Sequence, residues 1–365
     1  MKYSIIVPVY NRPDEVDELL QSLTQQTLHD MEIIIVEDGS SRPCESIVHK
    51  FAGKLTLRYY TKENSGPGPT RNYGAEHSQG EFLIFLDSDC VLPPNFLQAV
   101  DDELKRKECD AWGGSDRAHE SFTPVQKAIS YSMTSFLTTG GIRGGKKQMD
   151  KKFYPRSFNL GIRRSLYRQL GGFSSMRFGE DIDLSLRIYK SGASCRLFPE
   201  AWVWHKRRTD FKKFFKQVHN SGIARINLMK RHPGSLKLVH LLPMLFTVVT
   251  LTCLLFAFLH LVLLVFGLVA LWKAPKPGCV NGPMLFIIFG GFGMLFFLFP
   301  LLLFSLLVFI DSSIRNRSMK IGTLSIWASF IQLIGYGTGF LRAWWLRCVC
   351  GRNEELQAFK NNFYS

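Results

Sequence analysis

Glu81-Phe-Leu-Ile-Phe-Leu-Asp-Ser-Asp89 opens on an acid, runs apolar without a break from Phe82 to Leu86 and ends in two carboxylates. A run of this length reads as a strand buried on both faces, and such strands belong to parallel sheets covered by helices. Its acids then emerge at the carboxyl end of the strand, where open α/β sheets gather their ligands. Asp-x-Asp by itself is weak evidence, because Asp and Ser also favour turns and caps for their own backbone hydrogen bonds. The surrounding chain strengthens it. Glu32-Ile-Ile-Ile-Val-Glu37 also runs into an acid and a turn, Asp38-Gly39-Ser40, and Tyr3-Ser-Ile-Ile-Val-Pro-Val9 is a further apolar strand.

Between those last two strands the spacing of Val16, Leu19, Leu20 and Leu23 predicts a helix from Pro13 to Gln25. Strand, helix and strand make a βαβ unit. Another unit runs through Leu55-Thr-Leu-Arg-Tyr-Tyr60, a turn at Asn64-Ser-Gly-Pro-Gly-Pro69 and a helix carrying Arg71, Asn72 and Ala75. The expected fold class is α/β: a Rossmann-like, mostly parallel sheet with helices on both sides, followed by a transmembrane α-helical region.

The composition changes after Leu236. Leu241 to Trp272 holds one histidine and no Asp, Glu, Lys or Arg; Met284 to Ile310 is uncharged; Ile321 to Leu341 is uncharged but richer in Gly, Ser and Thr. Each meets the roughly 20 residues a helix needs to cross a bilayer. The long first stretch reads as one tilted or extended helix, giving three spans, with four as the alternative. Three spans put Arg315, Arg317 and Lys320 in a cytoplasmic loop but leave Arg342, Arg347 and Arg352 outside. No cleavable signal pattern follows Met1-Lys2. We therefore expect a multi-pass protein of the cell (inner) membrane with its N-terminal unit, residues 1–210, in the cytoplasm. Residues 211–236 form a basic amphipathic interfacial segment, 237–342 the membrane helices and 343–365 a tail.

A formal net charge of +15 makes nucleic acid the first partner to consider. The distribution argues against it. Lys206, Arg207, Arg208, Lys212, Lys213, Lys216, Arg225, Lys230, Arg231 and Lys237 crowd the segment before the membrane, interleaved with Phe211, Phe214, Phe215, Ile223, Ile226 and Leu228. That is the composition of a helix lying on anionic membrane lipids, with aromatics toward the acyl chains. The Gly-rich basic stretch from Arg143 to Arg156 reads either as a solvated loop or as a clamp for a phosphate-bearing ligand. The eight cysteines show neither a metal-ligand spacing nor a disulfide framework.

Several residues can be given chemistry. Pro8, Val9 and Tyr10 end a strand and could wall a flat pocket for a base, and Asp38 could accept a hydrogen bond from a ring N–H such as uracil presents. Arg71, near a helix start, suits a phosphate or ribose, or pairs with a neighbouring carboxylate. Asp87 and Asp89 could hold a divalent cation on a diphosphate. Glu180 and Asp181, in Arg177-Phe-Gly-Glu-Asp-Ile-Asp-Leu-Ser-Leu-Arg187, supply a base for a different reactant or simply cap a helix. Together they point to group transfer from a nucleotide.

Six segments carry a resemblance: Ser4-Ile-Ile-Val-Pro-Val-Tyr-Asn-Arg12, Ile34-Ile-Val-Glu-Asp-Gly-Ser40, Gly66-Pro-Gly-Pro-Thr-Arg-Asn-Tyr-Gly-Ala75, Gly80-Glu-Phe-Leu-Ile-Phe-Leu-Asp-Ser-Asp89, Gly171-Gly-Phe173 and Gly179-Glu-Asp-Ile-Asp-Leu-Ser-Leu-Arg187. In that order they resemble the motifs of family 2 glycosyltransferases with the GT-A fold. The membrane part is similar to that of membrane-anchored members which build bacterial surface polysaccharides. The resemblance implies that Asp38 reads the base and that Pro8, Val9, Tyr10, Arg12, Arg71, Asp87 and Ser88 contact the nucleotide-sugar. It makes Asp89 the ligand of Mn²⁺ or Mg²⁺, His205 a further metal ligand, and Asp181 the general base beside Glu180. Gly172, Phe173, Arg207 and Arg208 become acceptor or phosphate contacts. Glu37 departs from the Asp more usual there.

The implied function is metal-dependent, inverting transfer of a sugar from a nucleoside-diphosphate donor, a UDP-sugar first and a GDP-sugar second, to a hydroxyl of a lipid-linked or membrane-proximal glycan. A polyprenyl-phosphate glycosyltransferase is the alternative. Processive synthases of this family carry Gln-x-x-Arg-Trp before the membrane, where this chain has Gln217-Val-His-Asn-Ser221. A transporter would place ionisable residues at mid-membrane depth, and only His240 and His260 qualify. A nucleotide sensor without turnover is the remaining class.

Overall fold

The computed structural model describes residues 1–117, 119, 121–140, 153–206, 208–273 and 281–356. Arg207, most of the Gly-rich basic stretch and the end of the tail lie outside them.

The apolar runs form strands β1 (Tyr3–Val9), β2 (Met31–Asp38), β3 (Leu57–Lys62) and β4 (Phe82–Leu86), with β5 (Cys90–Val91), β6 (Ala111–Gly113), β7 (Asp116–Arg117), β8 (Asn159–Arg163), β9 (Cys195–Leu197) and β10 (Val203–His205) following. Seven of them make one sheet in the order β3-β2-β1-β4-β8-β6-β9. β1 to β4 pair in parallel, whereas β8 runs antiparallel to both β4 and β6. The helices flanking these strands are α1 (Pro13–Thr24), α2 (Glu45–Phe51), α3 (Pro67–Glu76), α4 (Phe96–Arg106), α5 (Pro124–Thr134), α6 (Phe136–Thr139), α7 (Arg164–Gln169) and α8 (Glu180–Lys190).

Both faces of the sheet are covered, which is why β1, β2 and β4 are buried along their whole length. One face packs Ile5, Val7, Leu19, Leu20 and Leu23; the other packs Ile6, Ile34, Val36 and Phe85. α3 lies so close to the sheet that a Cβ on Gly74 would come within 2.6 Å of Ile6. A separate sheet, β5-β10-β7, sits at the carboxyl end of β4.

Beyond this unit come α9 (Phe211–Arg231), α10 (Leu242–Trp272), α11 (Asn281–Asn316) and α12 (Met319–Trp344). Among the described residues three helical stretches are long and apolar enough to cross a membrane, Leu238–Trp272, Asn281–Asn316 and Met319–Val349. The first long apolar stretch is thus a single helix.

α9 differs from expectation. Most of its apolar residues are covered by protein. Phe214 and Val218 pack against Ala128 and Ile129 of α5 and against Ile321 and Ala328 of α12, while Ile223 and Ile226 pack against Phe340 and Ala343. Leu228 closes on Met176 and Ile182. A 3.6-residue period reports that one face is covered, but not by what. α9 and α12 touch backbone to backbone: a Cβ on Gly339 would come within 2.0 Å of the His219 carbonyl oxygen. Lys212, Lys213 and Phe215 remain exposed.

Candidate active site

Asp87 and Asp89 follow β4, as its apolar run predicts. The small sheet brings His205 to them, because β10 pairs antiparallel with β5 and sets His205 opposite Cys90. His205 Nε2 lies 3.2 Å from Asp89 Oδ1 and 3.8 Å from Asp87 Oδ2. Its Nδ1 lies 3.9 Å from Asp116 Oδ2, and the ring stacks on Phe158 at 4.8 Å. Burial opposes a charge on this imidazole, but the carboxylates of Asp89 and Asp116 outweigh it and push it up to about 9. Arg12, at the head of α1, pairs with Asp89 Oδ2. Asp89 is only 8% exposed, yet His205 and Arg12 overcome its burial and hold its carboxyl well below the usual range.

This pocket suits a divalent cation. Asp89, Cys90 and His205 present ligand atoms all within 4.8 Å of one another. Burial drives the Cys90 thiol up, and its Sγ–H points at the Phe158 carbonyl, so the thiol stays protonated. What remains is an ionised carboxylate and an imidazole that would give up its extra proton to a bound cation, an oxygen and nitrogen donor set that fits Mn²⁺ or Mg²⁺ better than a soft metal.

Arg71 ties the two acidic motifs together. It is 3% exposed on α3, with Nη2 2.6 Å from Asp87 Oδ1 and Nη1 3.2 Å from Glu180 Oε1. It thus makes the carboxylate pairing that was one of its two readings from sequence. Its guanidinium lies 5.3 Å over the Phe173 ring. Phe173 is itself buried against Phe85. Its loop is held by Asn72, which exchanges hydrogen bonds with the Phe173 backbone, and by Arg187 donating to the Gly172 carbonyl. Gly172 and Phe173 therefore brace Arg71 and do not lie open to an acceptor.

Glu180 and Asp181 open α8, after Gly179 in the left-handed region at φ 85°. Glu180 is buried, and that burial, with Asp181 beside it, pushes its carboxyl up to about 7 against the pull of Arg71. Asp181 faces the opposite way: its Oδ2 lies 3.3 Å from Arg156 Nη1, while Oδ1 accepts from the Ile182 N–H at 2.8 Å.

Asp38 is fully buried at the end of β2 and already accepts from Lys62 Nζ and from the Ser65 and Gly66 N–H groups. It thus shapes the turn into α3. Glu37 is occupied by Ser40, Cys44 and Tyr59, which gives it a scaffolding part. Val9 sits in the core and Pro8 is buried, whereas Tyr10 is half-buried. Ser88 is buried between the two acids, and Arg208 is exposed, its charge helping to hold the Asp89 carboxyl down. Sequence reasoning left out Arg156, Asp116 and Lys62 as individual site residues. Only the basic stretch around Arg156 hinted at any of them.

Residues 4–171 match the profile of Glycosyl transferase family 2. An uncharacterized glycosyltransferase of Haemophilus influenzae is 32% identical over 194 residues, 51% of this chain and 61% of that protein. The poly(ribitol-phosphate) beta-N-acetylglucosaminyltransferase TarS of Staphylococcus aureus is 40% identical over 93 residues, 24% of this chain and 16% of that protein. The chain thus spans less than two thirds of these relatives. Among solved structures, the mannosyltransferase PcManGT of Pyrobaculum calidifontis, in complex with GDP-Man and Mn²⁺, superposes with a TM-score of 0.53 at 17% identity over 80% of this chain and 87% of that one. The shared fold is of the GT-A type.

Proposed function

We propose, from the premise that the chain belongs to glycosyl transferase family 2 through residues 4–171, that it transfers a sugar from a nucleoside-diphosphate donor to a hydroxyl of a lipid-linked or membrane-proximal glycan, with inversion. The observation that carries this reading is the Arg71 bridge, which ties Asp87, two residues before Asp89, to Glu180, the neighbour of Asp181, and so brings the two acidic motifs together at the carboxyl end of β4.

In that reading Asp181 takes the proton of the acceptor hydroxyl as its oxygen bonds to the anomeric carbon. The bond from that carbon to the diphosphate breaks, and its electron pair leaves with the nucleotide. One displacement inverts the centre. Bound Mn²⁺ or Mg²⁺, held by Asp89 and His205, would supply Lewis-acid neutralisation of the leaving charge. Arg12 and Arg208 add fixed positive charge on the same side. Asp38, by ordering the turn into α3, holds the floor under the base, and a UDP-sugar is the first donor to test. TarS, which by its name transfers N-acetylglucosamine, makes that sugar a reasonable first choice.

The membrane arrangement we propose has α10 and α11 crossing the bilayer while α12 lies along α9 at its surface. Two sets of contacts support it. The start of α12 packs on α5 of the catalytic unit, and Tyr131 of α5 donates to Asp311, near the end of α11, at 2.7 Å. At the far end, Arg347 donates to Asn227 of α9 at 2.7 Å and Glu355 pairs with Arg231. α9 itself is held to the catalytic unit through His232 and Asp183, 2.8 Å apart. A helix with both ends on one soluble unit stays on one side. Exposed Trp327, Trp344 and Trp345 suit the headgroup region. Arg342, Arg347 and Arg352 then join Arg315, Arg317 and Lys320 on the cytoplasmic face of the inner membrane.

The test is a donor screen on the purified full chain, following nucleoside-diphosphate release with Mn²⁺, with Mg²⁺ and with EDTA. Release from one sugar nucleotide that depends on cation and on membrane lipid extract supports the reading. Full release in chelator removes its metal half, and no release from any sugar nucleotide removes the whole.

A further inference from the structure

The membrane-side wall of the cleft is basic. Gly179 rests on α9, where a Cβ would come within 3.3 Å of Ala224 and of Leu228, so the start of α8, which carries Asp181, lies against the stretch of α9 that contains Arg225. On the other side of α9, a Cβ on Gly222 would come within 2.1 Å of the Tyr336 carbonyl oxygen. The two helices are therefore in backbone contact one turn before Arg225. There the charges of Arg225 and Arg156 both reach the Tyr336 hydroxyl. Arg156 also reaches Asp181 at 3.3 Å. Two guanidiniums and a phenol thus converge between the proposed base and the surface helix α12.

One of these cations is incompletely satisfied. Arg225 Nε is buried and has no hydrogen-bond partner among the described residues. A buried N–H without an acceptor is costly to maintain, and an arginine fork matches a phosphate in shape and charge. In the membrane arrangement proposed above, with α12 along the surface, this cluster would sit at the level of lipid phosphates.

We propose that Arg225, Arg156 and Tyr336 hold a phosphate of the acceptor's lipid carrier. The proposal rests on Asp181 being the base, and it narrows the acceptor. Because Arg156 touches Asp181, the attacking hydroxyl stands about one sugar ring from that phosphate. The substrate is then a short phosphate-linked glycolipid and not the far end of a long polymer. Arg156 turning to the phosphate also releases Asp181 Oδ2, so the base is free to take a proton only when an acceptor is seated.

The full chain, reconstituted in phosphatidylcholine nanodiscs, is titrated with farnesyl phosphate, with farnesol and, separately, with UDP. Farnesyl phosphate is expected to bind at least about tenfold tighter than farnesol. Arg225→Met and Arg156→Met should each weaken it roughly tenfold while UDP affinity holds, and Arg225→Lys, which keeps the charge, should lose less. Equal binding of the phosphate and the alcohol overturns the proposal, as does farnesyl phosphate binding untouched by either methionine variant. If phosphatidylglycerol in the disc competes with farnesyl phosphate at equal strength, the cluster serves bulk headgroups and the acceptor assignment falls. Failure of UDP to bind the unaltered chain would instead strike the donor reading, leaving the two outcomes distinct.

Discussion

Arg71 Nη1 lies 3.2 Å from Glu180 Oε1, across a gap of sequence that no local pattern spans. The same guanidinium holds Asp87. Removing one partner of a buried charge pair leaves the others uncompensated, at a cost of about 3 kcal/mol or more. Arg71→Met should therefore lower the apparent melting temperature of the detergent-solubilised chain and abolish donor turnover. Arg71→Lys keeps a charge but cannot fork between two carboxylates, and should fall between. A methionine variant as stable as the parent would mean that the bridge holds nothing together.

Glu180 gives a pH signature. Its carboxyl is pushed up to about 7 in the folded chain, against 4.5 for the free side chain. Below the free value both states carry the proton and folding is not penalised. As pH rises through the window between those values the unfolded chain ionises first, so stability falls, and it levels off above about 7. The full effect is up to about 3 kcal/mol. Glu180→Gln should flatten this part of the stability curve between pH 4.5 and 8, read by thermal unfolding. An unchanged slope in the variant would show that another group titrates there.

Asp89 and His205 can be tested without turnover. Mn²⁺ binding followed by electron paramagnetic resonance should be lost in Asp89→Asn, which keeps the shape but not the charge. In His205→Ala it should weaken by roughly tenfold or more. UDP-assisted Mn²⁺ binding of parental strength in both variants would send the cation elsewhere.

Much of this geometry was legible and some of it could not be. β1 begins and ends where its apolar run does, because a strand buried on both faces is marked by composition alone. β3 starts at Leu57 and not at Leu55, since Leu55 still closes the turn after α2, its N–H donating to the Phe51 carbonyl. The antiparallel insertion of β8 and the pairing that sets His205 beside Asp89 depend on partners far away in sequence, to which periodicity is blind. The covered face of α9 failed for the same reason: amphipathy predicts a partner, and lipid and protein write the same pattern. Arg156 was visible only as one cation in a basic stretch, because its pairing with Asp181 is tertiary.

The base assignment separates two acceptor chemistries. A hydroxyl must lose its proton as it attacks, and a positioned carboxylate contributes on the order of 10²–10⁴ in rate. A phosphate oxygen arrives ionised and needs no such help. Asp181→Asn should lower kcat by that factor with the donor KM little changed if the acceptor is a hydroxyl. A loss of only a few fold would favour direct transfer to a polyprenyl phosphate.

The last prediction concerns which side of the membrane the tail occupies. Arg347 is buried against Asn227, and Glu355 pairs with Arg231, so the end of α12 and the residues after it lie beside the catalytic unit. Cys348 and Cys350 are exposed and report their own position. With two crossing helices, a membrane-impermeant maleimide should reach them in inverted vesicles and leave them unlabelled in intact spheroplasts. A cysteine introduced as Trp272→Cys, at the far end of α10, should show the reverse. With three crossing helices, Cys348 and Cys350 would label from the same side as position 272. That pattern would require Arg347 and Glu355 to leave partners on a helix whose other face supports Gly179, and hence the catalytic pair itself.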